Sequence, residues 1–321
     1  MAEIGVSVIC NAYNHEKYIR DALDGFVMQK TNFPFEVLIH DDASTDKTAD
    51  IIREYEKKYP DIIKPIYQTE NQYSKNPGAV SRIQLARVTG KYIAVCEGDD
   101  YWTDPLKLQK QYDAMERHPE VDICAHSAVE VEANTKRIIR DITPELSNTI
   151  IPVENVINFG GGFVATNSLM YRAVINGNLP KYRKIYNIDW MLQIHGALRG
   201  GMLYIADKMS VYRSFSDYSW SEKVKRNPEF RLGSYKLVVA ALESLKAETN
   251  GIYDYIINDH IRRRQFEICL TEEQYEGLQQ NYKELYDGLS FRHRAYITVA
   301  QYIPAVKRLR RMLINGGKRK I

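Results

Sequence analysis

Glu97, Asp99 and Asp100 stand together in the stretch KYIAVCEGDDYW, residues 91–102. Three carboxylates within four residues repel one another unless a cation or strong hydrogen-bond donors neutralise them. Hard divalent ions such as Mg²⁺ and Mn²⁺ take carboxylate oxygens together with substrate phosphates, so the cluster has the chemistry of a metal–phosphate site. Taken alone it reads equally well as a solvated acidic turn. The apolar run before it, Tyr92 to Cys96, has the pattern of a buried strand, which puts the acids in a loop at that strand's C-terminal end.

Two other apolar runs end in polar groups. Residues 6–10 run into Asn11, Ala12, Tyr13 and Asn14; residues 35–40 run into Asp41, Asp42, Ala43, Ser44, Thr45 and Asp46. A tyrosine at the first end can stack on a base. A carboxylate at the second can accept from a base N–H or a ribose hydroxyl, and the acids of the third can hold a metal on a diphosphate. Each also has a plainer use, Tyr13 as an aromatic at the edge of the core and Asp42 as a turn former. For Asp46 the helix cap is the better reading. Turns alone do not readily account for three polar strand ends on one edge.

The elements that must position these groups alternate in type. Residues 15–29 read as a helix with Ile19, Ala22, Leu23 and Phe26 on one face, and residues 46–59 as a second with Ile52 and Tyr55 in its stripe. A strand at 63–67, a helix at 78–88, a strand at 91–96 and a helix at 104–117, which begins beside Pro105, complete the series. This order predicts an α/β fold with a mainly parallel sheet covered on both faces, whose ligands bind beyond the carboxyl ends of the strands. Further on, strands are expected at 121–131, 137–142, 167–171 and 202–206, a glycine turn at 160–162 and a helix at 188–198. From residue 221 the pattern is almost wholly helical. The expected division is a domain at 1–220, in halves 1–117 and 118–220, and a helical region at 221–321.

Bulk properties narrow the classes. Apolar residues make up 44% and charged residues 26%, ordinary for a globular protein. The net charge of +3 hides an asymmetry: from Arg292 onward there are nine Lys or Arg and no Asp or Glu, leaving 35 basic and 41 acidic residues before it. A body with net charge −6 argues against nucleic acid as a partner. Cys10, Cys96, Cys124 and Cys269 form no CxxC pair, so neither a zinc site nor a disulfide framework is expected and a reducing compartment fits. The first residues lack the charges and length of a signal peptide, and no apolar stretch reaches the length of a membrane span, so a cytoplasmic protein is expected.

The strings VSVICNAYN, DDASTD and TGKYIAVCEGDDYW, with Pro105, Lys107, Leu108 and Gln109 after them, together resemble the family 2 glycosyltransferases of bacterial polysaccharide synthesis. The resemblance covers roughly residues 4–220. It implies the GT-A fold, a Rossmann-like sheet flanked by helices, here with a helical C-terminal extension. It makes residues 1–117 the nucleotide-sugar half and 118–220 the acceptor half. A nucleotide-sugar donor, usually a UDP-sugar, is then expected across the strand ends. The resemblance puts Asn11, Ala12 and Tyr13 around the uracil and Asp42 on the base or ribose. Glu97, Gly98 and Asp99 match the family's D-x-D motif with Glu in first place, which gives Asp99 the Mg²⁺ or Mn²⁺ and leaves Asp100 facing the donor sugar.

Two further segments extend the likeness. TNSLMYR at 166–172, followed by Asn187, Ile188, Asp189 and Trp190, resembles the family's acceptor strand and the helix start that carries its general base, which implies Asp189 in that role. Without the resemblance, Asp189 reads as a helix cap. The run from Val211, Tyr212 and Arg213 to Trp220 and Ser221 resembles a loop that closes over the diphosphate, often written Y-R-x-H; Phe215 holds the histidine's place. Arg213 is the positive charge that loop would bring to the donor, or else a surface salt bridge. Lys75 and Arg82 fit solvated faces better than phosphate contacts, and residues 160–162 lack the strand-to-helix spacing of a dinucleotide fingerprint.

Residues 292–321 scatter Ile297, Val299, Ala300, Ile303, Leu309 and Leu313 among the nine cations. A basic amphipathic helix interrupted at Pro304 is expected, able to lie on an anionic membrane surface with each cation adding about 1 kcal/mol. A helix packed on the body, or a disordered end, is the alternative. The resemblance implies an inverting enzyme that transfers a hexosyl or N-acetylhexosaminyl group to a saccharide or lipid-linked saccharide, as in capsule synthesis, and the basic tail would place it at the inner face of the plasma membrane. A nucleotidyltransferase would need a glycine- and base-rich triphosphate loop after the first strand, which residues 11–17 do not offer. A nucleotide-sugar-binding module without turnover is the other alternative.

Overall fold

Strand β1 (Val6–Ala12) is buried at nearly every position, as a strand covered on both faces must be. The computed structural model describes residues 3–216 and 220–303. The basic stretch from residue 304 lies outside them. Clustering of the chain separates two units, Met1–Glu222 and Lys223–Ile321.

In the first unit, β1 is followed by α1 (Ile19–Val27), β2 (Phe35–Asp41), α2 (Thr48–Lys58), β3 (Ile63–Tyr67), α3 (Gln72–Lys75), α4 (Pro77–Leu85) and β4 (Tyr92–Val95). These four strands are parallel, in the order β3-β2-β1-β4. Gly90 lets β4 lie close against β1, since a Cβ there would stand 2.5 Å from the Ser7 nitrogen. Helix α1 buries Ile19, Ala22, Leu23 and Phe26 against the sheet. The aromatic ring of Phe26 meets Trp102 edge-on at 5.0 Å.

The chain continues through β5 (Tyr101–Trp102), α5 (Lys107–Arg117), β6 (Ile123–Glu132), β7 (Ile138–Ile142), β8 (Thr149–Ile151), α6 (Val153–Phe159), β9 (Met170–Arg172), α7 (Lys181–Ile185), α8 (Asp189–Ala197), β10 (Met202–Ser214) and α9 (Trp220–Arg226). The sheet has ten strands in the order β3-β2-β1-β4-β9-β6-β10-β5, with β7 beside β6 and β8 beside β10. Strand β9 is antiparallel to both β4 and β6, so the direction of the sheet changes beyond β4. That change leaves the ends of β1, β2 and β4 on one rim, with β10 and the start of α8 beyond it.

The structure departs from the sequence pattern in several places. Helix α1 begins at Ile19 rather than at residue 15, and the helix expected at 78–88 is α4, which ends at Leu85; a short helix that was not expected, α3, precedes it across Asn76. Strands β5 and β8 and helices α6 and α7 are too short to show a period. The largest departure is β10, which runs on to Ser214 where a loop was expected. Its pairing with β6 slips between Ile205 and Lys208 and again before Ser210, so Asp207 and Lys208 point outward and break the alternation that marks a strand.

The second unit is helical. Asn227 caps α10 (Pro228–Glu248), accepting from the Phe230 N–H at 3.0 Å. After a turn at Gly251, with φ of 77°, α11 (Asp254–Thr271) packs back on α10. Short helices α12 (Leu278–Asn281) and α13 (Lys283–Asp287) lead to α14 (Phe291–Tyr302). Among the described residues, no helix is long and apolar enough to cross a membrane.

Candidate active site

The first two strand ends are laced together by their loops. The Asn14 side-chain oxygen accepts from the Thr45 N–H at 2.8 Å, while the Asn14 N–H donates to Ser44 Oγ at 2.9 Å. Asp46 accepts from the N–H groups of Thr48 at 2.9 Å and Glu16 at 3.0 Å, so it caps one loop and ties down the other. Asn11 and Tyr13 are half-buried at the rim, and Ala12 is buried beneath them. Gln84 fixes Asn11 from below, donating to its side-chain oxygen at 3.3 Å and to the carbonyls of Cys10 and Leu38. The Asn11 amide in turn donates to Glu97 Oε1 at 3.3 Å.

Asp42 is turned inward. Its Oδ1 accepts from the Gln72 N–H at 2.7 Å and faces His40 Nε2 at 3.3 Å, and its Oδ2 accepts from the Tyr73 N–H at 3.0 Å. The sequence reading of Asp42 as an open acceptor for a base or ribose is corrected to this extent: both oxygens already hold α3 against the β2 end. Lys75 and Arg82, set aside on the sequence, are exposed, with Lys75 paired to Glu70.

The acidic turn at the end of β4 is tied to β1. The Cys96 N–H donates to the Ile9 carbonyl and the Gly98 N–H to that of Asn11, at 3.1 and 2.9 Å. Glycine suits position 98, because a Cβ there would come within 2.8 Å of His15 Nδ1 and 2.9 Å of Ile19 Cδ1 and would force those side chains to shift. The turn splits the three acids. Asp99 is half-buried, and its Oδ2 accepts from the Ser216 hydroxyl at 2.6 Å. Burial and then the charge of Asp99 push the Glu97 carboxyl up to about 8; Asn11 opposes the rise and Asp189 adds to it. Asp100 is only 2% exposed and its Oδ1 accepts from the Arg213 N–H at 2.7 Å. The expectation that Asp100 faces a donor sugar is therefore corrected: it points into the protein and pins β10 to the turn.

Arg213 also requires a correction. It lies on β10 rather than on a loop that closes over the diphosphate, and it is 2% exposed. Nη1 donates to the Asp99 carbonyl at 2.6 Å, Nη2 pairs with Asp21 on α1, and the guanidinium lies 4.4 Å from the Tyr101 ring and 5.3 Å from that of Tyr18. Its charge acts on the turn from behind rather than as a free cation. Phe215, in left-handed backbone with φ of 64°, is exposed.

Asp189 is the first residue of α8, and its Oδ2 accepts from the Thr166 hydroxyl. The N-cap position is held by Ile188, so Asp189 sits one residue inside the helix rather than at its cap. Trp190 anchors the helix start by donating to the Val156 carbonyl at 3.1 Å. The charges of Asp189 and of the acidic turn reach one group: burial and then the charges of Asp100, Asp99 and Asp189 all push the half-buried Tyr212 hydroxyl upward. Thr166, Ser216, Asp21 and Gln84 were not singled out on the sequence. Thr166 lies inside the TNSLMYR string and Ser216 directly after Phe215, whereas nothing local marks Asp21 or Gln84.

Among the described residues, no group of three His, Cys, Asp or Glu side chains stands ready to hold a metal ion. Asp99 nevertheless fits one. It offers a carboxylate at the rim, with one oxygen held by the Ser216 hydroxyl, beside Glu97 and the buried Asp100. Mg²⁺ and its relatives are often held by one or two carboxylates, with substrate phosphates and water supplying the rest.

Residues 7–205, more than half of the chain, match the family model described as Glycosyl transferase family 2. The chain belongs to that family. An uncharacterized protein of Mycobacterium tuberculosis is 39% identical over 220 residues, 67% of this chain and 60% of the relative. This chain thus spans about 60% of the length of the curated relatives it matches best among those named here. The poly(ribitol-phosphate) beta-glucosyltransferase of Bacillus spizizenii is 27% identical over 231 residues, 72% of this chain and 34% of that enzyme. Among solved structures, S. aureus TarS 1–349 in complex with UDP superposes with a TM-score of 0.61 at 18% identity, covering 93% of this chain and 87% of that one. This likeness shows the fold, the GT-A arrangement of an open mixed sheet flanked by helices, with a helical region after it.

Proposed function

We propose that the first unit is an inverting glycosyltransferase. It moves a hexosyl or N-acetylhexosaminyl group from a nucleotide donor, a UDP-sugar, to a saccharide or lipid-linked saccharide in cell-surface polysaccharide synthesis. The observation that carries this reading is that Asp189, held by Thr166, and the turn bearing Glu97 and Asp99 act on the same groups, the Glu97 carboxyl and the Tyr212 hydroxyl. A metal–diphosphate carboxylate and a separately held base are what the reaction needs at one cleft. The family membership of residues 7–205 and the beta-glucosyltransferase named among the relatives support it.

Asn11, Ala12 and Tyr13 flank the nucleoside, with Asp42 fixing α3 and Tyr73 beside it. Glu97 accepts from a ribose hydroxyl. Asp99 would hold a Mg²⁺ or Mn²⁺ on the diphosphate; that ion, when bound, supplies Lewis-acid and electrostatic stabilisation of the departing UDP. Asp189 takes the proton of the acceptor hydroxyl on Oδ1, the oxygen that Thr166 leaves free. The acceptor oxygen bonds to C1 as the bond from C1 to the phosphate oxygen breaks, and its electron pair leaves with UDP. This single displacement inverts the anomeric centre. The stacked rings of Phe159 and Phe163, 5.1 Å apart, stand on the glycine loop that packs against Trp190. Phe159 is exposed there, which suits the apolar face of an acceptor sugar.

A screen of UDP-, GDP- and dTDP-sugars with Mn²⁺, read by thermal shift and by release of the nucleotide, tests the reading. A response to UDP-sugars is expected. Absence of any response to all three classes would overturn it.

A further inference from the structure

Helix α14 is apolar on two sides. Inward, Ile297 and Ala300 are buried with Phe266, Tyr275, Leu278 and Tyr286 in the core of the second unit. Outward, Phe291, Ala295, Thr298, Val299 and Tyr302 recur at i, i+4, i+7, i+8 and i+11, a single stripe on a helix of 3.6 residues per turn. In that stripe Phe291 is 78% exposed, Tyr302 76% and Val299 44%, and Ile303 just beyond the helix is 50% exposed. Isolated exposed apolar residues are normal, but an aligned row containing two aromatic rings marks a surface that is covered in use.

The charge of the sequence around α14 says what covers it. Asp287 is the last acid in the sequence; from Arg292 onward there are nine Lys or Arg and no Asp or Glu. Arg292 is exposed beside the stripe. Aromatic side chains suit the boundary between headgroups and acyl chains, and cations beside them suit lipid phosphates. A second copy of this chain would instead bring two cationic surfaces together, which is unfavourable. We infer that the outer stripe of α14 docks the second unit on the surface of an anionic phospholipid bilayer. The contact is interfacial, since no described helix can span a membrane. This inference does not depend on the glycosyltransferase reading.

Co-sedimentation of the full chain with vesicles tests it. Binding is expected to vesicles containing about one third phosphatidylglycerol and not to phosphatidylcholine alone, and it should weaken as salt is raised. Phe291→Asp/Tyr302→Asp should weaken binding at least about tenfold while the circular dichroism spectrum and melting temperature stay unchanged, because both side chains are exposed. Binding of the double variant at full strength would remove the stripe from the docking surface, even if the basic sequence alone held the chain to the vesicles. Failure of the unaltered chain to bind anionic vesicles would overturn the inference entirely. A dimer in solution that the double variant dissociates would assign the stripe to a second copy and overturn it too.

Discussion

Thr166 donates its hydroxyl to Oδ2 of Asp189, joining the short helical turn before β9 to the first residue of α8. Among the described residues nothing donates to Oδ1. One oxygen is thus held and the other is available, the arrangement a general base needs if its approach to a hydroxyl is to be fixed. General-base catalysis contributes roughly 10²–10⁴-fold. Asp189→Asn is expected to lower kcat for sugar transfer by about that factor while UDP affinity, measured by calorimetry, changes less than about twofold. Thr166→Val should lower kcat about tenfold with donor KM unchanged. Full transfer activity in Asp189→Asn would sink the assignment.

Arg213 is expected to govern the acidic turn without touching a substrate. It joins β10, the Asp99 carbonyl and Asp21 at one buried guanidinium. Hydrogen bonds to charged groups contribute about 1.5–3 kcal/mol, and a planar fork holding two partners is not reproduced by an ammonium. Arg213→Met should lower Tm by several degrees and raise the Mn²⁺ concentration needed for half-maximal activity about tenfold. Arg213→Lys should recover most of the Tm but little of the metal response. If both variants lose Tm yet keep the Mn²⁺ response of the parent, Arg213 serves the fold alone.

The parallel half of the sheet was legible because β1, β2 and β4 are short apolar runs that each stop at a polar segment. The rim that those ends share follows from topology, so its members could be named before any coordinates. Orientation at the rim was not legible. Asp99 and Asp100 are identical neighbours in the sequence, and only the path of the turn decides that one meets the Ser216 hydroxyl and the other the Arg213 N–H. Arg213 was misplaced because the outward turn of Asp207 and Lys208 hides the continuation of β10. Its partner Asp21 lies 192 positions away, a separation at which no local pattern carries information.

Lys107 gives the chain a measurable pH response. It is fully buried, with Nζ 3.9 Å from the centre of the Trp102 ring and no hydrogen-bond partner. Burial pushes it down to about 7 from the ordinary 10.5, with the neighbouring Cys96 and Cys124 opposing the fall. Between those two values the unfolded chain holds a proton that the folded chain lacks, so stability rises with pH across this window. Below about 7 both states are charged and the burial penalty is at its full size. Lys107→Met should raise Tm at pH 6.5 by about 3 °C or more and flatten the difference between pH 7 and 9.5. A variant that melts lower than the parent at pH 6.5 would show that contact with Trp102 outweighs the burial of charge.

Metal removal should separate the roles of Asp99 and Asp189. Asp99 presents its carboxylate at the rim, held on one oxygen by the Ser216 hydroxyl at 2.6 Å. A bound divalent ion stabilises the departing diphosphate by several kcal/mol, so its loss is expected to reduce transfer by at least about a hundredfold. EDTA should abolish transfer and weaken UDP binding, and Mn²⁺ or Mg²⁺ should restore both. Asp99→Ala should reproduce the EDTA state even with excess metal. Ser216→Ala, which only frees one oxygen, should raise the half-saturating metal concentration a few-fold and leave kcat at saturating metal near that of the parent. Asp189→Asn should keep metal-dependent UDP binding and lose only the transfer step. Metal-independent transfer in the parent, with UDP binding indifferent to EDTA, would remove Asp99 from this role and leave the acidic turn to act through hydrogen bonds alone.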